Sequence, residues 1–445
     1  MSDRRTLGHV VVVGAGSAGC VLAARLCERP GIRVTLLEAG PDHRSIDTPD
    51  EVAGPSFVAA KDLPGRSWPA LLATRAVGQE PRLYTRGRGI GGSSSINAMV
   101  ALKGQPADYD EWESRFGCAG WGWRELQPCF ERSALVLTKA PRREWGDVNR
   151  ALAGALPAAA AGVLLTRSPA GRRVSVNDAY LEPARGRPNL DVVGGCQVDC
   201  VVFNGRRAVG VRLTDGREIE AGTVVIAAGA IHSPALLLRS GVDTPGIGEN
   251  LHDHPSFPIG LLRKAPADLG ALPIATVATL SSHIGDHGVD DLQLLPLEHV
   301  DASMPELAML MVALMRSRSR GTVRLASNDP NIDPVVEFDM LSDERDVAPL
   351  EVALDAAERA LEHPAFAEVG SVVPYDRSLD GVRASLGDYV HAVGTCAMGS
   401  VVDTRCGVIG YDSLLVCDAS IMPQVPRANT HWPTVAIAER LVQLL

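Results

Sequence analysis

The chain begins with a short run of apolar residues, followed by a glycine-rich turn and a segment with helical periodicity. Four of the five residues from His9 to Val13 are valines, which predicts a buried parallel strand. GAGSAG follows, and the apolar positions of CVLAARLCE then recur at helical spacing. A second apolar run, Arg33 to Leu37, predicts another strand. The pattern therefore predicts a strand-turn-helix-strand unit at the start of the chain.

Apolar runs continue in the middle of the chain and predict strands at 189–193, 200–203, 210–213, 218–221 and 223–227, with Val198 between the first two. The sequence AAGAIHSPALLLRSG then predicts a second strand-to-helix turn, in which Ser233 and Pro234 start the helix. We interpret His232, just before them, as a capping or surface residue.

The pattern changes between residues 257 and 368. Segments such as LQLLPLEHV and LAMLMVALM predict strands of an antiparallel sheet, and residues 350–363 predict a helix. Four methionines, Met304, Met309, Met311 and Met315, either line an apolar pocket or fill the core. The alanine-rich residues 151–162 predict a helix and a surface loop. A final helix is predicted from Thr434.

Composition and charge exclude several classes of protein. The 445 residues are 46% hydrophobic, which is enough for a large core in two or three connected units. The net charge is −10 and charges of both signs are interleaved, so nothing favours nucleic acid or an anionic membrane as partner. No stretch of 18 uncharged apolar residues occurs, so we expect no membrane span.

The cysteines and the start of the sequence favour a cytoplasmic location. Nine cysteines lie mostly within apolar patterns and lack the CxxC pairing of metal sites, which is typical of reduced, buried thiols. Residues 1–8 contain Arg4 and Arg5 but no apolar core of a signal peptide. We therefore expect a cytoplasmic protein.

The first glycine-rich turn has the spacing of a dinucleotide-binding site. Gly14, Gly16 and Gly19 fit GxGxxG between a strand and a helix, where they allow a tight turn and close approach of a pyrophosphate. The helix N-terminus would face the phosphates. Glu38 ends the second strand, 19 residues after Gly19, where an acid can accept hydrogen bonds from ribose hydroxyls.

The segment from Arg86 to Met99, RGRGIGGSSSINAM, distinguishes between cofactors. It combines small residues and backbone NH groups with flanking apolar residues such as Ile90 and Ile96, which favours the start of a buried helix over a flexible linker. Such a segment allows the close approach of a flat aromatic ring, as a flavin requires and nicotinamide does not.

Candidate catalytic residues lie near the C-terminus, in YVHAVGTCAMG, LLVCDAS and RANTHWPT. His391 and His431 are 40 residues apart with Asp418 between them, and histidine is the side chain best suited to move protons near neutral pH. A second cluster, His252, Asp253 and His254, contains metal-ligand types. Adjacent positions on one loop do not fill a tetrahedral shell, so we predict no metal and a packing role between domains.

Several of these motifs, in their order along the chain, resemble the glucose-methanol-choline (GMC) family of oxidoreductases. The resemblance rests on GAGSAG with LLEAGP, RGRGIGGSSSINAMV, GAIHSPALLLRSGV, GIGENLHDHP, HAVGTCAMG, LLVCDASIMP and NTHWPT, and it runs from about residue 9 to 445. It implies an α/β fold in which a Rossmann-like FAD-binding domain holds an inserted antiparallel-sheet domain that binds substrate. We place the FAD-binding domain at 1–150, 185–255 and 385–445, and the substrate or cap domain at 151–184 and 256–384.

The resemblance also implies which residues bind FAD. They belong to the two glycine-rich segments, the adenosine side and the C-terminal segment: Gly14, Gly16, Ser17, Ala18, Gly19, Glu38, Ala39, Arg86, Gly91, Gly92, Ser93, Asn97, Val198, Ala228, Gly229, Asp418, Ala419, Pro433 and Thr434. Some relatives attach the flavin through a histidine where this chain has Ile96, so we expect non-covalent FAD.

The implied reaction is oxidation of a small-molecule alcohol to an aldehyde or ketone, with hydride transfer to the flavin. His391 would be the general base, and His431, or less favourably Asn429, would hold the alcohol oxygen. Oxygen, a quinone or another carrier would accept the electrons. The alternatives are a flavin-containing lyase of the hydroxynitrile-lyase type, without net redox chemistry, and a flavin-binding sensor.

Overall fold

The computed structural model describes residues 8–269, 272–285 and 288–445. Arg4 and Arg5, used above in the prediction about a leader, lie outside the described residues. The strands of the described residues are β1 His9–Val13, β2 Arg33–Leu37, β3 Leu72–Ala73, β4 Arg82–Leu83, β5 Val100–Ala101, β6 Leu137–Lys139, β7 Ala160–Gly162, β8 Leu164–Thr166, β9 Leu190–Val193, β10 Val198–Asn204, β11 Arg207–Leu213, β12 Glu218–Glu220, β13 Thr223–Ile226, β14 Ser256–Arg263, β15 Thr276–Leu280, β16 Leu292–Leu297, β17 Leu307–Leu314, β18 Thr322–Arg324, β19 Val335–Glu337, β20 Gly370–Val372 and β21 Leu414–Val416.

The α-helices of the same residues are α1 Gly19–Leu26, α2 Asp50–Ala53, α3 Phe57–Asp62, α4 Pro106–Phe116, α5 Trp123–Arg132, α6 Asp147–Ala155, α7 Glu182–Ala184, α8 Gly229–Arg239, α9 Val347–Leu361, α10 Pro364–Val369, α11 Leu379–Ser385 and α12 His431–Leu444. Short 3-10 turns include Gly92–Ser95 and Ala419–Ile421.

A five-stranded parallel sheet with the order β21-β13-β1-β2-β9 forms the first part of the fold. Its central strand is fully buried at Val10, Val11 and Val12, which is why this strand has no polar alternation. Parallel strands end at the same edge of a sheet. This edge therefore brings together Gly14, Glu38 and Asp418, which follow three different strands in the sequence.

A six-stranded antiparallel sheet with the order β20-β14-β17-β16-β15-β7 forms the second part. Leu295 of β16 pairs with Met311 of β17, and helix α9 packs on these two strands. The α/β fold with an antiparallel second sheet is thus as predicted. The predicted domain boundary at residue 150 falls inside helix α6, which packs on β15 and β16, and the boundaries stay predictions.

Some local predictions were wrong. The last helix begins at His431 rather than at Thr434, because Pro433 lies in its first turn, where proline is tolerated. Helix α8 begins at Gly229 and contains Pro234. Proline lacks the NH that would bond to the carbonyl of Ala230, and the hydroxyl of Thr395 donates to that carbonyl instead, at 2.6 Å.

Two further segments differ from the predictions. The GGSSS segment forms a 3-10 turn at Gly92–Ser95, and the short strand β5 follows it rather than a helix. Residues 160–162, expected in a surface loop, form β7 at the edge of the antiparallel sheet, where Ala161 pairs with Val277. Val198, expected between two strands, is the first residue of β10.

The largest of the buried apolar clusters surrounds the parallel sheet, and another lies under the antiparallel sheet. The nine cysteines are free thiols, and Cys200 alone among them is partly exposed. The cytoplasmic location inferred from them stays a prediction. Within the part of the chain that the structure describes, every helix is too short or too polar to cross a membrane.

Candidate active site

A cavity of about 490 Å³ lies where the carboxyl edge of the parallel sheet meets the antiparallel sheet. It is lined by most of the residues predicted to bind FAD or substrate: Gly14, Gly16, Ser17, Ala18, Glu38, Ala39, Arg86, Gly92, Ser93, Asn97, Val198, Ala228, Gly229, His391, Asp418, Ala419, Asn429, His431 and Thr434. Segments that are distant in sequence thus converge on one cavity.

Three of the predicted cofactor residues do not line this cavity. Gly19 lies at the start of α1, where a Cβ would come within 1.8 Å of the carbonyl oxygen of Gly14. Gly91 has a φ of +88°, and a Cβ there would lie 2.2 Å from the Oγ of Ser95. Pro433 is buried in the first turn of α12. These three residues shape the backbone around the cavity.

The first glycine-rich turn has the geometry that a pyrophosphate needs. A Cβ at Gly16 would meet no atom within 4 Å, since this glycine faces the cavity. Gly14 instead packs against the backbone of Ala227, with a φ of +98°. The N-terminus of α1, which follows the turn, adds NH groups and positive dipole on this side.

Glu38 joins three loops at the same edge. Its carboxylate accepts hydrogen bonds from the NH groups of Ala15, Gly40 and Gly89 at 2.8 to 2.9 Å. Asp418 has a similar role, since it accepts from the NH of Gly229 and the hydroxyl of Ser233. Both carboxylates line the cavity and keep further lone pairs for hydroxyl donors. The acceptors of this edge, together with the N-terminus of α1, therefore fit a dinucleotide such as FAD.

Asn97 is held by Arg173, a residue that the sequence did not single out. The amide oxygen of Asn97 accepts from Nη1 of Arg173 and from the NH of Met99, both at 2.9 Å. The guanidinium is buried, has no carboxylate within 4 Å among the described residues, and its pKa is lowered to about 10 by burial. Its charge also helps to lower the pKa of His431, so it adds positive potential to this side of the cavity.

His391 lies between His254 and Asn429. Its Nδ1 is 3.0 Å from Nδ1 of His254, and its Nε2 is 3.3 Å from the amide nitrogen of Asn429. Nε2 of His254 is 3.1 Å from the carbonyl oxygen of Pro426. Burial holds the pKa of His391 well below its usual value, and the nearby His254 and Arg86 act in the same direction. His391 is therefore neutral at pH 7.

His431 lines the same cavity but contacts a different partner. Its Nδ1 lies 2.9 Å from the hydroxyl of Ser17, and its Nε2 is buried without a hydrogen-bond partner among the described residues. Burial, together with the charge of Arg173, lowers its pKa to about 4. The structure thus brings Asn429, rather than His431, into direct contact with His391.

Asp253 fixes the backbone that presents His391. It accepts from the NH of His391 at 2.7 Å, from the NH of His254 and from the hydroxyl of Tyr84. Burial and the charge of Asp388 raise the pKa of Asp253 to about 7, although the hydrogen bonds act in the opposite direction.

The loop of His252, Asp253 and His254 therefore does more than pack two domains. Potential ligand atoms of Asp253, His254 and His391 lie within 4.8 Å of one another, but each of these groups already has a hydrogen-bond partner on this chain. His252 bonds to the carbonyl of Asn250 and accepts from the NH of Val425. We interpret the cluster as a hydrogen-bonded network, and the absence of a metal stays a prediction.

The segment that carries His391 is strained. Val390 has a φ of +58°, which is a true outlier for a β-branched residue. Its NH donates to the carboxylate of Asp388, and its carbonyl accepts from Arg86. Strain of this kind persists where surrounding contacts fix it, and it is frequent at functional sites. The aromatic ring of Tyr389 lies 5.6 Å from the ring of His391.

The remaining candidates are placed as follows. His232 lies within α8 rather than at a cap, and its ring stacks on Trp68 at 4.2 Å. Of the four methionines, Met311 lines the cavity and Met304 is exposed. Met309 and Met315 do not line the cavity.

The sequence interpretation gave His254 a packing role and quoted Tyr389 only as part of the motif around His391. Val390 between Tyr389 and His391 has a φ of +58°, so the alternation of an extended strand gives no signal for Tyr389. Arg173 lies in a segment without a motif, and its role becomes visible only when the fold brings it to Asn97.

Comparison with known proteins identifies the family of this chain. Two family models, both described as GMC oxidoreductase, match residues 9–256 and 317–438. The chain is 31% identical to 5-(hydroxymethyl)furfural oxidase of a Methylovorus species over 99% of both chains. It is 32% identical to oxygen-dependent choline dehydrogenase of Burkholderia thailandensis, over 97% of this chain and 92% of the other. The crystal structure of pyridoxine 4-oxidase from Mesorbium loti superimposes with a TM-score of 0.88 at 26% identity, over 98% of both chains.

The fold and the glycine-rich cavity define an FAD-dependent oxidoreductase. The chain belongs to the GMC oxidoreductase family, whose enzymes act on CH–OH donors, and FAD is its cofactor.

Proposed function

We propose that this enzyme oxidises an alcohol to the aldehyde or ketone, with Nε2 of His391 as the general base. FAD, when bound, accepts the hydride that leaves the carbinol carbon. The single observation that supports the choice of base is the hydrogen-bond chain from Pro426 through His254 to His391, because it leaves a lone pair on Nε2.

The positions of the protons in this hydrogen-bond chain follow from which atoms can donate and which can only accept. The carbonyl oxygen of Pro426 only accepts, so Nε2 of His254 must donate to it. Burial lowers the pKa of His254 to about 4, so this ring is neutral and its Nδ1 is an acceptor. Nδ1 of His391 therefore donates to it, and Nε2 of the neutral His391 carries the lone pair.

The base lies beside a hydrogen-bond donor. The amide nitrogen of Asn429 lies 3.3 Å from Nε2 of His391, and the amide oxygen of Asn429 is buried without a partner among the described residues. An alcohol oxygen placed here would donate its proton to His391 and accept from Asn429. His431, whose Nε2 is also unpartnered, is the second candidate for holding this oxygen.

We further propose that the predicted cofactor residues that line the cavity hold FAD non-covalently. Gly16 leaves space for the pyrophosphate, and Glu38 and Asp418 offer acceptors to its hydroxyls. Ile96 lines the cavity and has no nucleophilic atom for a covalent bond. The N-terminus of α12, which lines the cavity with Thr434, adds positive dipole that favours an anion.

The test is reduction of the bound flavin by a panel of alcohols, followed anaerobically by absorbance. An alcohol oxidase or dehydrogenase bleaches the flavin, and readmission of oxygen or addition of a quinone identifies the electron acceptor. Turnover of a cyanohydrin with an unchanged flavin spectrum would support the lyase alternative instead. The absence of any turnover would favour a flavin-binding sensor.

A further inference from the structure

The cavity has an apolar wall beside the proposed base. Leu295 of β16 pairs across the antiparallel sheet with Met311 of β17, and Leu297 lies two residues further on the same face. All three line the cavity, together with Ile274 and Met99. They belong to one apolar cluster that also contains Tyr389, whose ring contacts His391. This wall is therefore next to the base.

Tyr389 is the member of this apolar cluster that carries a hydroxyl, and the residue lines the cavity. The hydroxyl of Tyr389 is buried and has no hydrogen-bond partner among the described residues, and the side chain is only 7% exposed. A buried hydroxyl without a partner is destabilising, so such groups usually face a ligand or water. Burial raises the pKa of Tyr389, so the phenol keeps its proton and can donate it.

Three of the four carboxylates that line the cavity accept hydrogen bonds within the protein. Asp388, next to Tyr389 in the sequence, is paired with the buried Arg75 at 2.6 Å and accepts from the NH of Val390. Glu38 accepts from backbone NH groups, and Asp418 accepts from Ser233 and backbone NH groups. Asp333 lies 3.7 Å from Nε2 of His232, which is beyond hydrogen-bond distance. A quaternary ammonium would find no free counter-charge at the apolar wall.

The cations that line the cavity each donate hydrogen bonds within the protein. Arg86 donates to the carbonyls of Thr85 and Val390, and Arg239 donates to the carbonyl of Asp199. Lys61 pairs with Asp62 at 2.6 Å. The apolar wall itself would desolvate a carboxylate on the body of the substrate, which is costly without a partner there.

We propose that the substrate is an uncharged alcohol whose apolar body carries a hydrogen-bond acceptor, such as a ring nitrogen, an ether or a carbonyl, that accepts from the hydroxyl of Tyr389. The apolar body lies against Leu295, Leu297 and Met311, and Tyr389 determines the specificity. This inference rests on the proposed function, since it names the class of alcohol that His391 deprotonates. It separates the chain from enzymes that take cationic alcohols.

The experiment uses the FAD-loaded enzyme and probes of matched shape. Benzyl alcohol and the three isomeric pyridinemethanols differ by one ring atom, and choline supplies the cationic case. At pH 8, where the pyridines are neutral, we expect one isomer to have a kcat/KM roughly 5- to 100-fold above that of benzyl alcohol, the range that one buried hydrogen bond supplies. We expect choline to be at least about 100-fold poorer than benzyl alcohol, because its charge would be desolvated without a partner.

Tyr389→Phe removes the donor and keeps the ring. We expect it to reduce the ratio between the preferred pyridinemethanol and benzyl alcohol to near one, whereas a merely structural role would lower both rates alike. Tyr375→Phe is the matched control, because the hydroxyl of Tyr375 bonds to Glu358 outside the cavity. That variant should keep the wild-type ratio.

Binding without turnover gives a second readout. In the His391→Ala background, the dissociation constant of the same pyridinemethanol, read from the flavin spectrum, should rise when Tyr389→Phe is added. A preference for choline, no isomer preferred over benzyl alcohol, or a preference that survives Tyr389→Phe would each overturn the inference while leaving alcohol oxidation intact. If no alcohol on the panel reduced the flavin, the proposed function would fail and this inference with it.

Discussion

The Nδ1 atoms of His254 and His391 lie 3.0 Å apart although the residues are 137 positions apart in the chain. Two nitrogens at this distance share one proton, and the carbonyl of Pro426 determines which ring supplies it. His254 therefore acts as an orienting group for the proposed base, in the way that buried hydrogen bonds often fix the tautomer of a catalytic histidine.

The first prediction concerns His254. His254→Ala should lower the rate of flavin reduction roughly 10- to 100-fold with normal FAD content, because Nδ1 of His391 loses its acceptor. His254→Asn should recover part of the rate, since an amide oxygen can take the place of Nδ1. Rapid-mixing measurements on both variants check this. Equal losses in the two variants would show that His254 only fills space.

The second prediction concerns pH. Because the pKa of His391 is held below 6.5, its base form is complete above pH 6.5 and is lost only as the pH falls through the lowered pKa. The rate of flavin reduction should therefore be flat from pH 8 to pH 6.5 and decline only below that. A pH series of anaerobic flavin reduction measures the midpoint. A midpoint at or above pH 7 would contradict a buried, neutral base.

The third prediction concerns the attachment of the cofactor. Precipitation with trichloroacetic acid should release yellow FAD into the supernatant, because Ile96 offers no atom for a bond to the flavin. Flavin that stays with the washed pellet would refute non-covalent binding. The fluorescence of the supernatant before and after phosphodiesterase treatment distinguishes FAD from FMN.

The fourth prediction compares two glycines of the same turn. Gly16→Val should give a folded but colourless protein, because its side chain would enter the space left for the pyrophosphate and touch no protein atom at the Cβ. Gly19→Val should lower the thermal stability, since its Cβ would lie 1.8 Å from the carbonyl oxygen of Gly14. The ratio of absorbance at 450 nm to that at 280 nm measures the FAD content, and thermal melts measure the stability. Stoichiometric FAD in Gly16→Val would show that the turn is misassigned.

The parts of the fold that the sequence predicts best are local. The first strand, the glycine-rich turn and Glu38 lie within 30 residues of each other, and their spacing specifies their geometry. The start of α8 could not be predicted in this way. Its first turn depends on the hydroxyl of Thr395, which lies 165 positions from Ala230 and takes over a hydrogen bond that Pro234 leaves open.

In the candidate site, too, the motifs identify residues, whereas the contacts between distant segments could not be predicted. His391 and Asn429 could be named from their motifs, and the structure brings them together at 3.3 Å. The motifs contain no information on which nitrogen of His391 carries its proton, because that depends on His254 and Pro426 from two other segments. The contact between His431 and Ser17 is likewise a product of packing, 414 positions apart in sequence.

The last prediction separates the roles of the three residues around the alcohol. His391→Ala should lower the rate of flavin reduction by about 10² to 10⁴, the usual contribution of a general base. If Asn429 holds the alcohol oxygen, as its 3.3 Å contact with Nε2 of His391 favours, Asn429→Ala should cost more than His431→Ala. If His431 holds it, the order reverses, and His431→Asn should keep more activity than His431→Ala because an amide can still donate.

Rapid-mixing reduction of the flavin with one good alcohol decides between these outcomes, provided that FAD content and melting temperature are measured for each variant. Ser17→Ala is the matched control for His431, because it removes the partner of Nδ1 and keeps the imidazole. Should His391→Ala reduce its flavin at the wild-type rate while His431→Ala does not react, the base has been assigned to the wrong histidine. Loss of bound FAD without a change in the rate per bound flavin would instead make the altered residue a cofactor-binding one.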